Sequence, residues 1–176
     1  MKRIYLILTK SPTLLSRSIA WLTGEQYTHS SISFSDTIQP MYSSGRKYAF
    51  ISFPAGLKEE PLDKSFYKYF SNSAMGIYCL DVDDKVYDQA YNYVTTMVEK
   101  KYPFNALGLI LCWLKIDHPR KNHYFCSEFV ANALAAGGID ILKKPNLYHP
   151  SDFLKIKGLK CLYIGKVKDA INKHFQ

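Results

Sequence analysis

The stretch Tyr124-Phe125-Cys126-Ser127-Glu128-Phe129-Val130-Ala131-Asn132-Ala133-Leu134 constrains the rest of the chain more than any other. Apolar residues 129, 130, 133 and 134 recur at three- and four-residue spacing, and Gly137-Gly138 supplies a stop. This pattern predicts an amphipathic helix opening at or just after Cys126, and such a helix needs a partner surface. On that register Cys126 lies in the first turn, on the face of Phe129, Val130 and Ala133. Unpaired backbone N–H groups and the positive end of the helix dipole favour thiolate over thiol there, and the thiolate is the nucleophile. The competing reading is a small buried core residue, the usual fate of a cysteine outside a disulfide.

A length of 176 residues fits one domain spanning 1–176 with room for a sizeable core. The cysteines at 79, 112, 126 and 161 form no CxxC pair, which fits reduced thiols better than a disulfide framework. The opening run Ile4 to Leu8 is too short for a signal-peptide core, and Ala106 to Leu114 is about half of a bilayer span. The expectation is a soluble, cytoplasmic protein. Charge is uneven: residues 1–88 hold 10 basic and 9 acidic side chains, residues 89–176 hold 13 and 6. The excess of +7 in the second half admits a binding module for anionic ligands, nucleic acid or lipid headgroups, as an alternative function. The lysines come in pairs rather than a dense run, which fits a solvated basic surface.

In chain order, Arg3 to Thr9 reads as a buried strand. Ser11-Pro12 opens a helix with Leu14, Leu15, Ile19 and Leu22 on its face, ended by Gly24. Tyr27 to Phe34 alternates, with Ser30, Ile32 and Phe34 on one side and His29, Ser31 and Ser33 on the other. Small hydroxyl residues beside a histidine leave space around its imidazole. Ile38 to Ser43 is the expected antiparallel partner, with Pro40 marking an edge or a bulge; a tight hairpin would bring Tyr42 or Ser43 opposite His29. Arg46 to Phe53 reads as a further strand, Pro54-Ala55-Gly56 as a break and Lys58 to Asp63 as a polar connection. A helical turn over Lys64–Phe70 and a strand over Met75–Val82 follow. Next come a long helix capped by Asp83-Asp84, an apolar helix from Ala106 to Leu114, a loop over Lys115–His123, the Cys126 helix and a closing strand from Lys160 to Val167.

Cysteine-based acyl transfer needs a thiolate, an imidazole to hold its proton, a group to orient that imidazole, and donors for the oxyanion. A thiol at a helix start and a histidine on a strand are the housings of a papain-like fold, but here His29 precedes Cys126. In this order the chain resembles the circularly permuted papain-like hydrolases related to the NlpC-type amidases, which include the lecithin:retinol acyltransferase group. The resemblance rests on Thr28-His29-Ser30-Ser31-Ile32-Ser33-Phe34 and Tyr124-Phe125-Cys126-Ser127-Glu128-Phe129-Val130. Lys101-Tyr102-Pro103-Phe104-Asn105 and Pro150-Ser151-Asp152-Phe153 add less specific matches.

The resemblance implies an α+β fold with an antiparallel sheet packed against helices, Cys126 as nucleophile and His29 as base. It also implies a third polar residue on the strand after the histidine. That strand, Gln39 to Ser44, carries neither acid nor histidine, so the third position falls to Ser43, with Tyr42 as the alternative and Gln39 behind them. Tyr102 and Tyr124 are expected to line the substrate site, while Cys79, Cys112 and Cys161 have packing roles. The backbone N–H of Cys126 is the natural oxyanion donor. The expected activity is hydrolysis or transfer at an amide, ester or thioester carbonyl through a Cys126 acyl-enzyme. Its substrate is a peptide-like or acyl-bearing molecule, with no cofactor and no metal. A metal cluster from His118, His123, Cys126 and His149 fits no common zinc spacing. No nucleic-acid motif is present, and peripheral lipid contact is compatible with the composition.

Overall fold

The unbroken apolar run near the N-terminus becomes the centre of a sheet. In the computed structural model, which describes residues 1–10, 24–46, 54–62, 65–171 and 173–175, β1 spans Lys2–Lys10 and Ile4 through Leu8 are each at most 3% exposed. A strand covered on both faces has no use for alternation, which explains the continuous run. β1 pairs antiparallel with β2 (His29–Ser33) on one side and with β5 (Ala74–Val82) on the other. β3 (Met41–Arg46) and β4 (Ala55–Glu60) extend the sheet beyond β2, and β6 (Lys160–Lys166) extends it beyond β5. The spatial order is β4-β3-β2-β1-β5-β6, antiparallel throughout. The chain is therefore α+β.

Each face of the sheet buries its own cluster. Ile4, Leu6, Leu8, Ile32, Tyr42 and Leu57 meet the helices α2 (Asp84–Glu99) and α4 (Cys126–Ala136) through Ala90, Val94, Phe129, Val130 and Leu134. The other face holds Tyr5, Ile7, Met41, Ile77 and Cys79. It is covered by Tyr67 of α1 (Ser65–Tyr69), by Val167 and Ala170 of α5 (Val167–Ala170), and by Phe175. Phe129 is fully buried, and emptying such a site costs about 3–5 kcal/mol. α2 begins where Asp83 accepts from the Val86 N–H at 2.9 Å, a cap worth about 1 kcal/mol. Helix α3 (Ala106–Trp113) begins the same way, with Asn105 Oδ1 accepting from the Gly108 N–H at 2.9 Å.

Two expectations need correction. The predicted partner strand Ile38–Ser43 starts only at Met41; the Gln39–Pro40 peptide is cis and lies in the turn before it. The segment 54–63, expected to be a break and a polar connection, contains β4. Only Leu57 supplies a large apolar side chain there, because β4 is an outer strand whose opposite face carries Lys58 and Glu60. Its outer edge is covered in turn: the Leu57 N–H donates to Tyr102 O at 2.9 Å, and the Phe104 N–H to Ala55 O at 3.0 Å. Gly56 permits this approach, since a Cβ there would stand 2.6 Å from Tyr102 O. The predicted helix over 11–23 and most of the predicted strand over 46–53 lie outside the described residues. Among the described residues no helix is long and apolar enough to cross a membrane.

Candidate active site

His29 opens β2, and Cys126 is the first residue of α4. The fold brings them together: although they stand 97 positions apart in the chain, each side chain shifts the other's titration, His29 lowering Cys126 and Cys126 raising His29. The N-terminus of α4 is fixed from several sides. Glu128 Oε2 accepts from the Phe125 N–H at 3.2 Å and from Asn105 Nδ2 at 3.1 Å, tying the starts of α3 and α4 together. Ser127 Oγ donates to Tyr148 O at 2.6 Å, and Ser44 Oγ donates to Tyr124 O at 2.5 Å. The last bond anchors the segment before Cys126 directly to β3. Cys126 keeps 7% exposure and the His29 side chain 23%, so the pair borders solvent.

The third polar group is Glu60. Its Oε2 lies 2.9 Å from His29 Nε2 and accepts from Ser31 Oγ at 2.9 Å. The Tyr67 hydroxyl donates to the same oxygen at 3.4 Å, and Lys58 Nζ stands 3.8 Å from Oε1. With Nε2 directed to the carboxylate, Nδ1 is the ring nitrogen left for the sulfur. Glu60 reaches the imidazole because the intervening side chains are small. The register pairs Ser33 with Met41 and Ile32 with Tyr42; running it onward sets Gly45 opposite His29. A Cβ on Gly45 would lie 2.8 Å from Glu60 Oε1 and 3.5 Å from His29 Cε1.

Ser43 and Tyr42 therefore do not hold the position expected of them. Ser43 is fully buried and donates its hydroxyl to Ser30 O at 2.7 Å. Tyr42 lies opposite Ile32 and packs into the core cluster on the α4 side. Gln39 sits in the turn before β3. The hairpin is longer than the tight form on which the expectation rested, and this shift leaves Tyr42 opposite Ile32 and Ser43 opposite Ser31, on the turn side of the histidine. Glu60 escaped the sequence reading because it lies on an unrecognised strand. The usable signal was the alternation of Gly56, Lys58 and Glu60 against Leu57.

Three charges couple at this point. Burial disfavours the charged Glu60, yet the imidazolium of His29, its hydrogen bond, Lys58 and Ser31 outweigh that and hold the carboxyl at about 2. Burial also disfavours the charged His29, but the Glu60 charge, hydrogen bonds to Cys126 and Glu60, and the thiolate charge raise it to about 10. For Cys126, burial favours the thiol. The hydrogen bond and charge of His29, with the backbone N–H groups of Ser30 and Ser127, prevail and lower its pKa. The ground state favoured by these interactions is thiolate–imidazolium–carboxylate, in which the protons leave as a coupled set.

Tyr102 and Tyr124 pack against each other. Their half-buried rings are 5.9 Å apart. Cys79 is buried in β5, Cys112 is buried in α3, and Cys161 is exposed on β6. His123 Nδ1 lies 3.0 Å from Lys121 O. Among the described residues no three of His, Cys, Asp and Glu gather as a metal site requires. No protein-family model matches the chain, and a search of curated proteins finds no match.

Proposed function

We propose that the chain is a cysteine hydrolase or acyltransferase with the permuted papain-like architecture of the NlpC-type enzymes. It would act at an amide, ester or thioester carbonyl. The observation carrying this reading is the gathering of Cys126, His29 and Glu60, with His29 Nε2 2.9 Å from Glu60 Oε2, the imidazole shifting the thiol towards thiolate, and the sulfur at a helix N-terminus. The Cys126 thiolate attacks the carbonyl carbon, forming the C–S bond and moving the π electrons onto oxygen. The Cys126 N–H, which has no intrahelical acceptor at its position, is placed to donate to that oxygen. His29, protonated in the ground state, delivers its proton to the departing amine, alcohol or thiol as the tetrahedral species collapses. It then takes a proton from the water or acceptor nucleophile that releases the acyl group from sulfur. Glu60 is a positioning residue, holding the ring and its charge through Nε2. The backbone N–H groups of Ser30 and Ser127 stabilise the thiolate before attack.

The direct test is trapping. Incubation with a panel of activated acyl esters and peptide-like chloromethyl ketones should add one acyl or alkyl mass to the native protein, located on Cys126 by peptide mapping. Modification spread evenly over Cys126 and the other three cysteines, with no substrate in the panel turned over, would overturn the proposal.

A further inference from the structure

Helix α3 reverses the usual arrangement of a surface helix. Its buried stripe is Gly108 and Cys112, whereas Leu107 is 47% and Ile110 50% exposed. The exposed row continues past the helix end with Leu114 at 63% and Ile116 at 47%. Positions 107, 110 and 114 follow the three- and four-residue spacing of one helix face. Residues 106–114 carry no charged or amide side chain, although an exposed helix face is ordinarily polar. Large aliphatic side chains grouped in this way form an interaction surface; scattered singly they would need no explanation.

The surroundings are cationic. Residues 106–123 hold three basic side chains and one acid. That acid, Asp117, is engaged by Lys144 Nζ and by Asn146 Nδ2, the latter at 3.0 Å. Lys115, directly beside Leu114, and Lys121 are exposed. Aliphatic residues rimmed by lysines suit a bilayer with anionic headgroups, where the side chains enter the acyl boundary and the ammonium groups meet phosphate. The exposed row itself is purely aliphatic, with Trp113 and Arg120 half-buried beside it, whereas a protein-binding face centres on aromatic and arginine anchors.

We infer that this face of α3, with Leu107, Ile110, Leu114 and Ile116 as its apolar row and Lys115 and Lys121 as its rim, docks on an anionic lipid bilayer. Eight residues make a helix of about 12 Å, so α3 lies in the interface plane and does not span it. Asn105 caps α3 and donates to Glu128, so docking would hold the N-terminus of α4 close to the lipid surface. The inference stands apart from the chemistry at Cys126 and is tested without it.

The experiment uses the full chain with Trp21→Phe, which leaves Trp113 on α3 as the one indole. Vesicles of mixed phosphatidylcholine and phosphatidylglycerol are compared with phosphatidylcholine alone. Expected are binding to the anionic vesicles, loss of binding as salt rises, and quenching of Trp113 by brominated acyl chains. Leu107→Ser/Ile110→Ser/Leu114→Ser should weaken binding about tenfold or more while leaving the melting midpoint in place. Lys115→Glu/Lys121→Glu should weaken it about tenfold through charge alone. Absence of binding to the anionic vesicles, or binding that neither variant changes, would overturn the inference. So would a concentration-dependent dimer lost in the serine variant without any lipid binding, which would give this face to a second copy of the chain.

Discussion

Two cysteine–histidine pairs lie in this protein, and they are tuned in opposite directions. Cys126 meets His29, whose Nε2 is 2.9 Å from a carboxylate. Cys112 Sγ stands 3.6 Å from His149 Nε2, and His149 Nδ1 is 3.8 Å from Glu25 Oε1. By residue type the two sets are identical. Burial nevertheless pushes the Cys112 thiol up to about 12, with the charges of Asp152, Glu128 and Cys126 adding to it against Lys143. Burial and the neighbouring Lys143 lower His149, more than Glu25 and Asp152 raise it, and keep the ring neutral. Helix position separates the pairs further. Cys126 is the first residue of α4, while Cys112 lies in the last turn of α3, where the dipole opposes an anion. Residue type alone therefore does not set the titration: the distance of the carboxylate, the neighbouring charges and the helix end do.

The largest effect should come from the thiols themselves. Cys126→Ser should abolish both electrophile labelling and acyl turnover, whereas Cys112→Ala should change either by no more than about twofold, in line with a thiol kept protonated. Comparable labelling of Cys112 and Cys126 in the native protein would erase the contrast. The imidazoles come next. In wild type, iodoacetamide labelling of Cys126 should stay fast below pH 7, and His29→Ala should move the profile alkaline by about one unit or more. His149→Ala should leave that profile where it is. Coincident profiles for wild type and His29→Ala would show that the imidazole does not set the thiolate.

The carboxylates sharpen the comparison further. Glu60→Gln should lower kcat by about a hundredfold with little change in KM, and Glu25→Gln should have no such effect. Gly45→Ala should act on the same group from the side, since its Cβ would stand 2.8 Å from Glu60 Oε1. An overpacking cost of about 1–3 kcal/mol is expected there, together with an alkaline shift in Cys126 labelling. Unchanged labelling in a folded Gly45→Ala protein would mean that the His29–Glu60 contact is not what tunes the sulfur. The smallest effect is on stability against pH. Glu60 is held at about 2 against an ordinary 4.5, so its contribution is present above 4.5 and lost as pH falls through 2. His29 is raised to about 10 from 6.5, so its contribution is complete below 6.5 and lost as pH rises through 10. The pair thus stabilises most between pH 4.5 and 6.5. Urea midpoints across pH should flatten in Glu60→Gln and stay curved in Glu25→Gln.

Much of this arrangement was legible along the chain. The apolar run of β1, the cap at Asp83, the helix opening at Cys126 and the alternation that places His29 on a strand are local signals, each contained in a few neighbouring residues. They were sufficient to place Cys126 at a helix start and His29 on a strand; the α+β fold and the pairing of the two came from the family resemblance. The partner of His29 was not legible, because it depends on distances that accumulate over three strands. A hairpin longer than the tight form moves Gly45, rather than Ser43 or Tyr42, opposite the histidine. β4 then reads as a polar connection because an outer strand with one buried leucine carries little periodic signal. The contrast between Cys126 and Cys112 also arises only on folding. Both are cysteines in apolar helical segments, and their opposite titration follows from which helix end each occupies and which charges the tertiary structure brings within contact. Sequence neighbours determine a residue's secondary structure; a pKa is determined by neighbours in space, at distances that only the packed sheet and helices decide.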